Sequence, residues 1–324
     1  MIRRALALSV ALACGLVAAA ASAAAERVRI AYFLGWPTPN LVAKADGAYE
    51  AALGLPVTWI AFDTGTQMTE ALAAGDVDIA YSQGLAPFVT ALREGAPVTA
   101  VGVAVEYPAN DCIVREGSGR DADDPASFVG AAVALPLATM ADYSFRMTTR
   151  ALGIDAGRMT VLDRIPSEAA IALTAGEVDV ACGFGALATA KMARAGEPMM
   201  DAEAKRAAGI ASFDLITAST PFARENPELV RAFLALTERA NAAWAGTPGQ
   251  LERVGLESGL DRSALIRQLE DFEFPDAAEQ RGRLLGPGGV GLEAMAVAGE
   301  ALAGDDDSAT APDYADAVDR SYLP

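Results

Sequence analysis

The sequence predicts an α/β chain made of two similar β-α-β domains. Residues 62–83, FDTGTQMTEALAAGDVDIAYSQ, read as a strand end, a turn, a helix with Met68, Ala71 and Leu72 on one face, a Gly75-Asp76 stop and a second apolar strand. The pattern from Leu72 to Ala80 (LAAGDVDIA) returns in the second half from Leu173 to Ala181 (LTAGEVDVA). One β-α-β unit in each half, facing one another, is the simplest reading of that repeat.

The chain opens with Arg3 and Arg4, an apolar run from Ala5 to Ala21, and Ala21-Ser22-Ala23. This pattern predicts a secretory signal peptide over residues 1–25, cleaved within Ala23 to Ala25. Its apolar core is too short for a membrane anchor. Cys14 lies inside it, and a lipoprotein cleavage there would leave a mature chain starting with a useless apolar run. Export places the mature protein in the periplasm. The roughly 300 remaining residues suffice for two domains.

Glu26 to Tyr32 alternates as a first strand. Phe33 to Asn40 is a loop broken by Gly35, Pro37 and Pro39, and Pro39 or Asn40 starts a helix carrying Leu41, Val42, Ala45 and Tyr49. Strands follow at Leu55–Phe62, Val77–Tyr81 and Val98–Val105, with helices at Thr66–Ala74 and Leu85–Glu94. A second lobe begins at Asp111, with strands at Asp111–Arg115, Ala132–Leu135, Met159–Leu162 and around Val178. Helices there run from Ala141 to Leu152 and from Pro166. Phe213–Ala218 is the strand that crosses back, and only helical patterns follow. The tail carries an acidic, solvated turn at Asp305 to Asp307 and a short final helix. Lobe one is therefore 26–110 and 214–324, with the C-terminal helices, and lobe two is 111–213.

The net charge is −18. Such a chain repels nucleic acid and anionic lipid, which excludes both as partners. An anion would have to be held by locally aimed dipoles. There is no histidine, so Ser-His-Asp, Cys-His and histidine-rich zinc sites are excluded. No metal or other cofactor is expected. Cys112 and Cys182 are too few and too distant for a metal framework. Export permits a disulfide between them, and burial as two small apolar residues is the alternative.

The string DTGTQMTEALAAGDVDIA from Asp63 to Ala80 resembles a recurrent pattern of the taurine, alkanesulfonate and nitrate binding proteins of ABC importers. The element order and the terminal Tyr-Ala-Asp…Ser-Tyr-Leu look like the same family, nearest to its taurine-binding members. The resemblance implies a two-lobed, type II-like periplasmic binding protein, its two β-α-β domains joined by two hinge strands. Such a protein closes by hinge motion on a small-molecule ligand and is recognised by a membrane permease. It also implies a monomer that does no chemistry on its ligand.

Carried over by that resemblance, Thr64, Gly65, Thr66, Ser82 and Gln83 are anion contacts of lobe one. Thr139, Asp142, Tyr143 and Ser144 are their counterparts in lobe two. Asp111 and Asp214, at the two hinges, align with acidic residues that would neutralise an ammonium. Phe184 stands where the family often has Trp. Trp36, in its proline-rich loop, and Phe184 are read as cleft aromatics, whereas Tyr107 and Phe213 are read as lobe core. Glu106 is read as a surface or turn partner. The hydroxyls of Thr64, Thr66, Ser82 and Thr139 equally suit helix caps.

The function these readings imply is capture of a small zwitterionic aminosulfonate such as taurine. Its sulfonate would sit on neutral donors and its ammonium on Asp111 and Asp214. A quaternary amine, a plain alkanesulfonate or a thiamine-pyrimidine precursor on the same fold is the alternative. An exported carboxylate-dependent enzyme is the rival from another class; pyrimidine synthases of similar fold use a histidine that this chain lacks.

Overall fold

The computed structural model describes residues 25–108, 110–303 and 312–324. The leader, Cys14 and the acidic turn at Asp305 to Asp307 lie outside the described residues.

Ten strands occur in chain order: β1 (Val28–Phe33), β2 (Val57–Phe62), β3 (Ile79–Gly84), β4 (Val98–Glu106), β5 (Cys112–Arg115), β6 (Ala132–Leu135), β7 (Thr160–Asp163), β8 (Val180–Cys182), β9 (Gly196–Pro198) and β10 (Phe213–Ser219). They form two five-stranded sheets, ordered β2-β1-β3-β10-β4 and β7-β6-β8-β5-β9. In the first sheet β1 runs parallel to β2 and β3, and β10 is antiparallel to β3 and β4. The second repeats the scheme, with β6 parallel to β7 and β8 and β5 antiparallel to β8 and β9. The chain leaves the first sheet after Glu106, enters the second at Cys112, and returns through β10.

The repeated motif does the same structural work in both sheets. Gly75 and Gly176 each end a helix at φ 76°, the left-handed region where a side chain is strained. The aspartate that follows staples the next strand. Asp78 accepts from the Arg29 backbone N–H at 2.7 Å and pairs with the Arg29 guanidinium at 2.6 Å. Asp179 accepts from the Ala132 N–H at 3.1 Å and pairs with Arg115 and Arg120. Both staples grip the strand starts. The opposite ends of the parallel strands, where ligands bind in such sheets, are left to loops and helix starts.

Three local readings change. The helix starting at Asn40 is two helices, Asn40–Ala45 and Ala48–Leu53, because Gly47 turns left-handed at φ 64° between them. Short elements at Ala186–Met192, Gly196–Pro198 and Ala202–Ala207 fill a stretch without strong periodicity. The tail ends in two 3₁₀ turns, Tyr314–Ala317 and Arg320–Tyr322, not one helix. Cys112 and Cys182 face each other across β5 and β8 and are joined as a disulfide.

The lobes pack directly on one another. Met140 and Tyr143, from the Met140–Leu152 helix after β6, lie in the same buried cluster as Met68, Leu85 and Phe88 of the first lobe. No described helix is long and apolar enough to cross a membrane.

Candidate functional site

The carboxyl ends of β1 and β3 face the loops that follow β6 and β8. Between them lies a small cavity lined by Phe33, Trp36, Gly65, Gly84, Pro87, Tyr107 and Asp214 from the first lobe. Thr139, Met140 and Phe184 close it from the second. The space open to the centre of a water molecule is about 20 Å3, room for one water.

Its polar end is built by a bulge. Between β10 and β3 the register passes from Leu215 opposite Gln83 to Ile216 opposite Tyr81, so Ser82 is an extra residue. It sits at φ 66°, a conformation a serine adopts only at a cost. The bulge aims the Ser82 hydroxyl at Asp214, donating to Oδ2 at 2.7 Å, while the Trp36 indole N–H donates to Ser82 Oγ at 2.8 Å. The Tyr107 hydroxyl donates to Asp214 Oδ1 at 2.8 Å. Asp214 is 3% exposed, and among the described residues no Lys or Arg pairs with it. Burial pushes its carboxyl up to about 7, against the lowering effect of the Ser82 and Tyr107 hydroxyls. Burial, helped by the carboxylate, also holds the Tyr107 phenol well above its ordinary value, so Tyr107 stays a donor.

Three helices begin at this cavity. Gly65–Ala74 starts after Thr64, Leu85–Arg93 after Gly84, and Met140–Leu152 after Thr139. Their first N–H groups lack intrahelical partners and carry positive dipole ends. Thr64 accepts from Gln67 N–H at 3.2 Å and Thr139 from Ala141 N–H at 3.2 Å. Gly84 supplies no side-chain cap. The site therefore combines one buried carboxylate with three dipoles of opposite sign and a wall of aromatic rings.

The predicted residues separate into three groups. Trp36, Gly65, Thr139, Phe184 and Asp214 line the cavity, with Ser82 directly behind Asp214. Thr64 and Thr66 stand at the start of the Gly65–Ala74 helix, and the Thr66 hydroxyl reaches the Ala138 carbonyl of the other lobe at 3.4 Å. Gln83, Asp111, Asp142 and Tyr143 do not line it. Gln83 points to the opposite side of β3 from Ser82, and its amide is held by Thr69 and Thr217. Asp142 braces the loop before its own helix, accepting from Ala138 N–H at 2.9 Å and Arg146 at 2.7 Å. Tyr143 is buried between the lobes.

Asp111 is not brought to Asp214. It is half-exposed and paired with the buried amine of Lys205, a partner the sequence did not suggest. Both line a separate, larger cleft of about 360 Å3 that shares Trp36, Tyr107 and Phe184 with the first. The two predicted acidic partners therefore line different spaces, Asp214 the small cavity and Asp111 the larger cleft. Ser144 holds the connection before β5 instead, donating to the Asn110 carbonyl at 2.6 Å. Tyr107, read as core, does pack against the buried cluster of Trp36 and Phe272, and it also lines the cavity, where its hydroxyl donates to Asp214. Phe213 is core, and Glu106 pairs with Arg283 at 2.5 Å. Phe33, Gly84, Pro87 and Met140 were not singled out; their signal is position, at strand ends and in first helical turns.

Against known proteins, a family model described as NMT1/THI5 like matches residues 37–250. The taurine-binding periplasmic protein of Escherichia coli K12 is 24% identical over 272 residues, which are 82% of this chain and 83% of that protein. The alkanesulfonate-binding protein SsuA of Xanthomonas axonopodis pv. citri, solved with MOPS, superposes with a TM-score of 0.69 at 21% identity, covering 92% of this chain and 99% of that one. The periplasmic aliphatic sulphonate binding protein SsuA of E. coli gives a TM-score of 0.60 at 23% identity, over 78% and 87% of the two chains. At these identities the superpositions speak to the fold, which is that of the periplasmic binding proteins.

Proposed function

This chain belongs to the NMT1/THI5-like family, and from that premise we propose that it is the periplasmic solute-binding component of an ABC importer. Its ligand is a small zwitterion such as taurine, held between the lobes 26–110 with 214–324 and 111–213. A membrane permease receives the loaded form. The observation that carries this reading is Asp214, a buried carboxylate with hydroxyl donors but no cation, facing the same space as three helix N-termini. A buried charge without a counter-charge is costly. A ligand ammonium would supply the missing charge, and a sulfonate would take the free N–H groups. The names of the relatives, which bind taurine and sulfonates, support the same ligand class.

A second reading has a specific observation in its favour. Trp36 and Tyr107 meet edge to face at 5.1 Å, and Phe33 and Phe184 lie 6.0 Å apart in the same wall. Rings beside a carboxylate suit a quaternary amine. Thermal-shift screening of the mature protein against taurine, alkanesulfonates, quaternary amines and amino acids separates the two. A ligand at 100 times its Kd stabilises by about 2.7 kcal/mol. A response to sulfonates lacking nitrogen and none to amines would defeat both.

A further inference from the structure

The cavity is smaller than the ligand class that its polar groups suit, and Met140 is one of the three residues that close it from the second lobe. Met140 is 3% exposed and reaches from the second lobe to the start of the Leu85–Arg93 helix, where its thioether sulfur accepts the Ala86 N–H at 3.3 Å. Gly84 leaves the room: a Cβ at that position would lie 2.7 Å from Met140 Cγ. About 20 Å3 remains for a water centre beside Asp214.

We propose that the Met140 side chain is a movable stopper that occupies the ligand's anion seat, and that ligand binds by displacing it. The chemistry favours the exchange. A thioether is a weak acceptor, whereas a sulfonate or carboxylate oxygen makes a charge-assisted bond to the same N–H. Methionine has three flexible side-chain torsions and can repack. The residue therefore selects ligands: a molecule without a strong acceptor at the right distance from Asp214 leaves the stopper in place. It also gives the closed form without ligand a stability of its own, which competes with binding. The proposal rests on the zwitterion reading only for the identity of the displacing group.

The test uses Met140→Leu and Met140→Ala in the full mature chain, with taurine as the probe. Small-angle scattering of the ligand-free proteins should show a radius of gyration rising from wild type to Leu to Ala. Titration calorimetry should show taurine affinity rising in the same order, by about tenfold for Ala, because the competing occupant is removed. Superimposable ligand-free scattering for all three proteins would overturn the proposal. So would weaker taurine binding in the variants, which would make Met140 an ordinary wall contact. If the Ala variant does not fold, the Leu variant carries the same comparison. A graded change in scattering with no taurine binding in any of the three supports the stopper and removes the zwitterion reading.

Discussion

Asp214 should make ligand binding depend on pH in a way that exposes its role. Its carboxyl sits at about 7 in the folded protein, against 3.8 ordinarily. A raised value means that the folded state holds its proton more tightly than the unfolded chain. The stability this contributes is fully present below pH 3.8 and is lost as pH rises through 7. About three units at about 1.4 kcal/mol each amount to roughly 4 kcal/mol, of which roughly 2.5 kcal/mol is lost between pH 5 and pH 8. A ligand ammonium binds the ionised form and reverses the preference. Taurine affinity should therefore weaken about tenfold from pH 8 to pH 6 and about 100-fold by pH 5. Calorimetry in buffers of different ionisation enthalpy should find about 0.9 proton released per ligand at pH 6 and about 0.1 at pH 8. Asp214→Asn removes the charge but offers one acceptor where Ser82 and Tyr107 each donate to a separate oxygen. The gain from losing the buried charge at pH 8 is then cut by about 1–3 kcal/mol for the unmatched hydroxyl. The ligand-free variant should be modestly more stable at pH 8 and have lost the pH dependence, while binding falls about 10–150-fold. Affinity that stays flat from pH 5.5 to pH 8 in the wild type, with no proton release, would refute the reasoning.

Replacing Ser82 by Gly should relieve the left-handed backbone, worth about 1–2 kcal/mol, while removing the hydroxyl that lowers the Asp214 carboxyl. Melting should change little, and the midpoint of the pH-dependent binding should move above 7; an unmoved midpoint would contradict the Ser82–Asp214 bond. The Cys112–Cys182 bridge closes a separation of 70 residues. Chain entropy assigns such a loop roughly 4 kcal/mol, so Cys112→Ser/Cys182→Ser should lower the denaturant midpoint of the second lobe with little change in affinity. Taurine affinity should vary weakly between low and high salt, since among the described residues no Lys or Arg lines the cavity; a steep fall would indicate a basic contact.

What could be read from the chain, and what could not, divides along a physical line. The repeated Gly-acid-Val-Asp pattern is local chemistry: a left-handed helix end and an aspartate within reach of the neighbouring strand. It announced both sheets, and Asp78 and Asp179 do the same work in each. Asp214 and Trp36 were also legible, as an acid at the returning strand and an aromatic among prolines. Pairings between distant segments were not. Asp111 looked like Asp214's partner because both stand at crossings, but its ion-pair partner is Lys205, 94 residues away in the same half of the fold. Tyr107 looked like core because only the fold places its hydroxyl 2.8 Å from Asp214. Gln83, adjacent to Ser82, is held by Thr69 and Thr217 instead, because the bulge at Ser82 breaks the strand's simple alternation and sends the two side chains to different partners.

The same line explains why the site is assembled as it is. A serine in left-handed backbone, a buried acid without a cation and a helix start without a side-chain cap each cost stability. All three lie at one cavity. Core packing alone would have removed them; a leucine for Asp214 or an ordinary extended residue for Ser82 would fold more easily. Each defect is, however, half of a bond: a carboxylate lacking its ammonium, and N–H groups lacking a strong acceptor. A ligand carrying both complements, spaced to reach Asp214 at one end and Ala86 N–H at the other, would satisfy them together. On the zwitterion reading proposed above, binding would recover these costs together, whereas a plain anion or a plain cation would satisfy only one half.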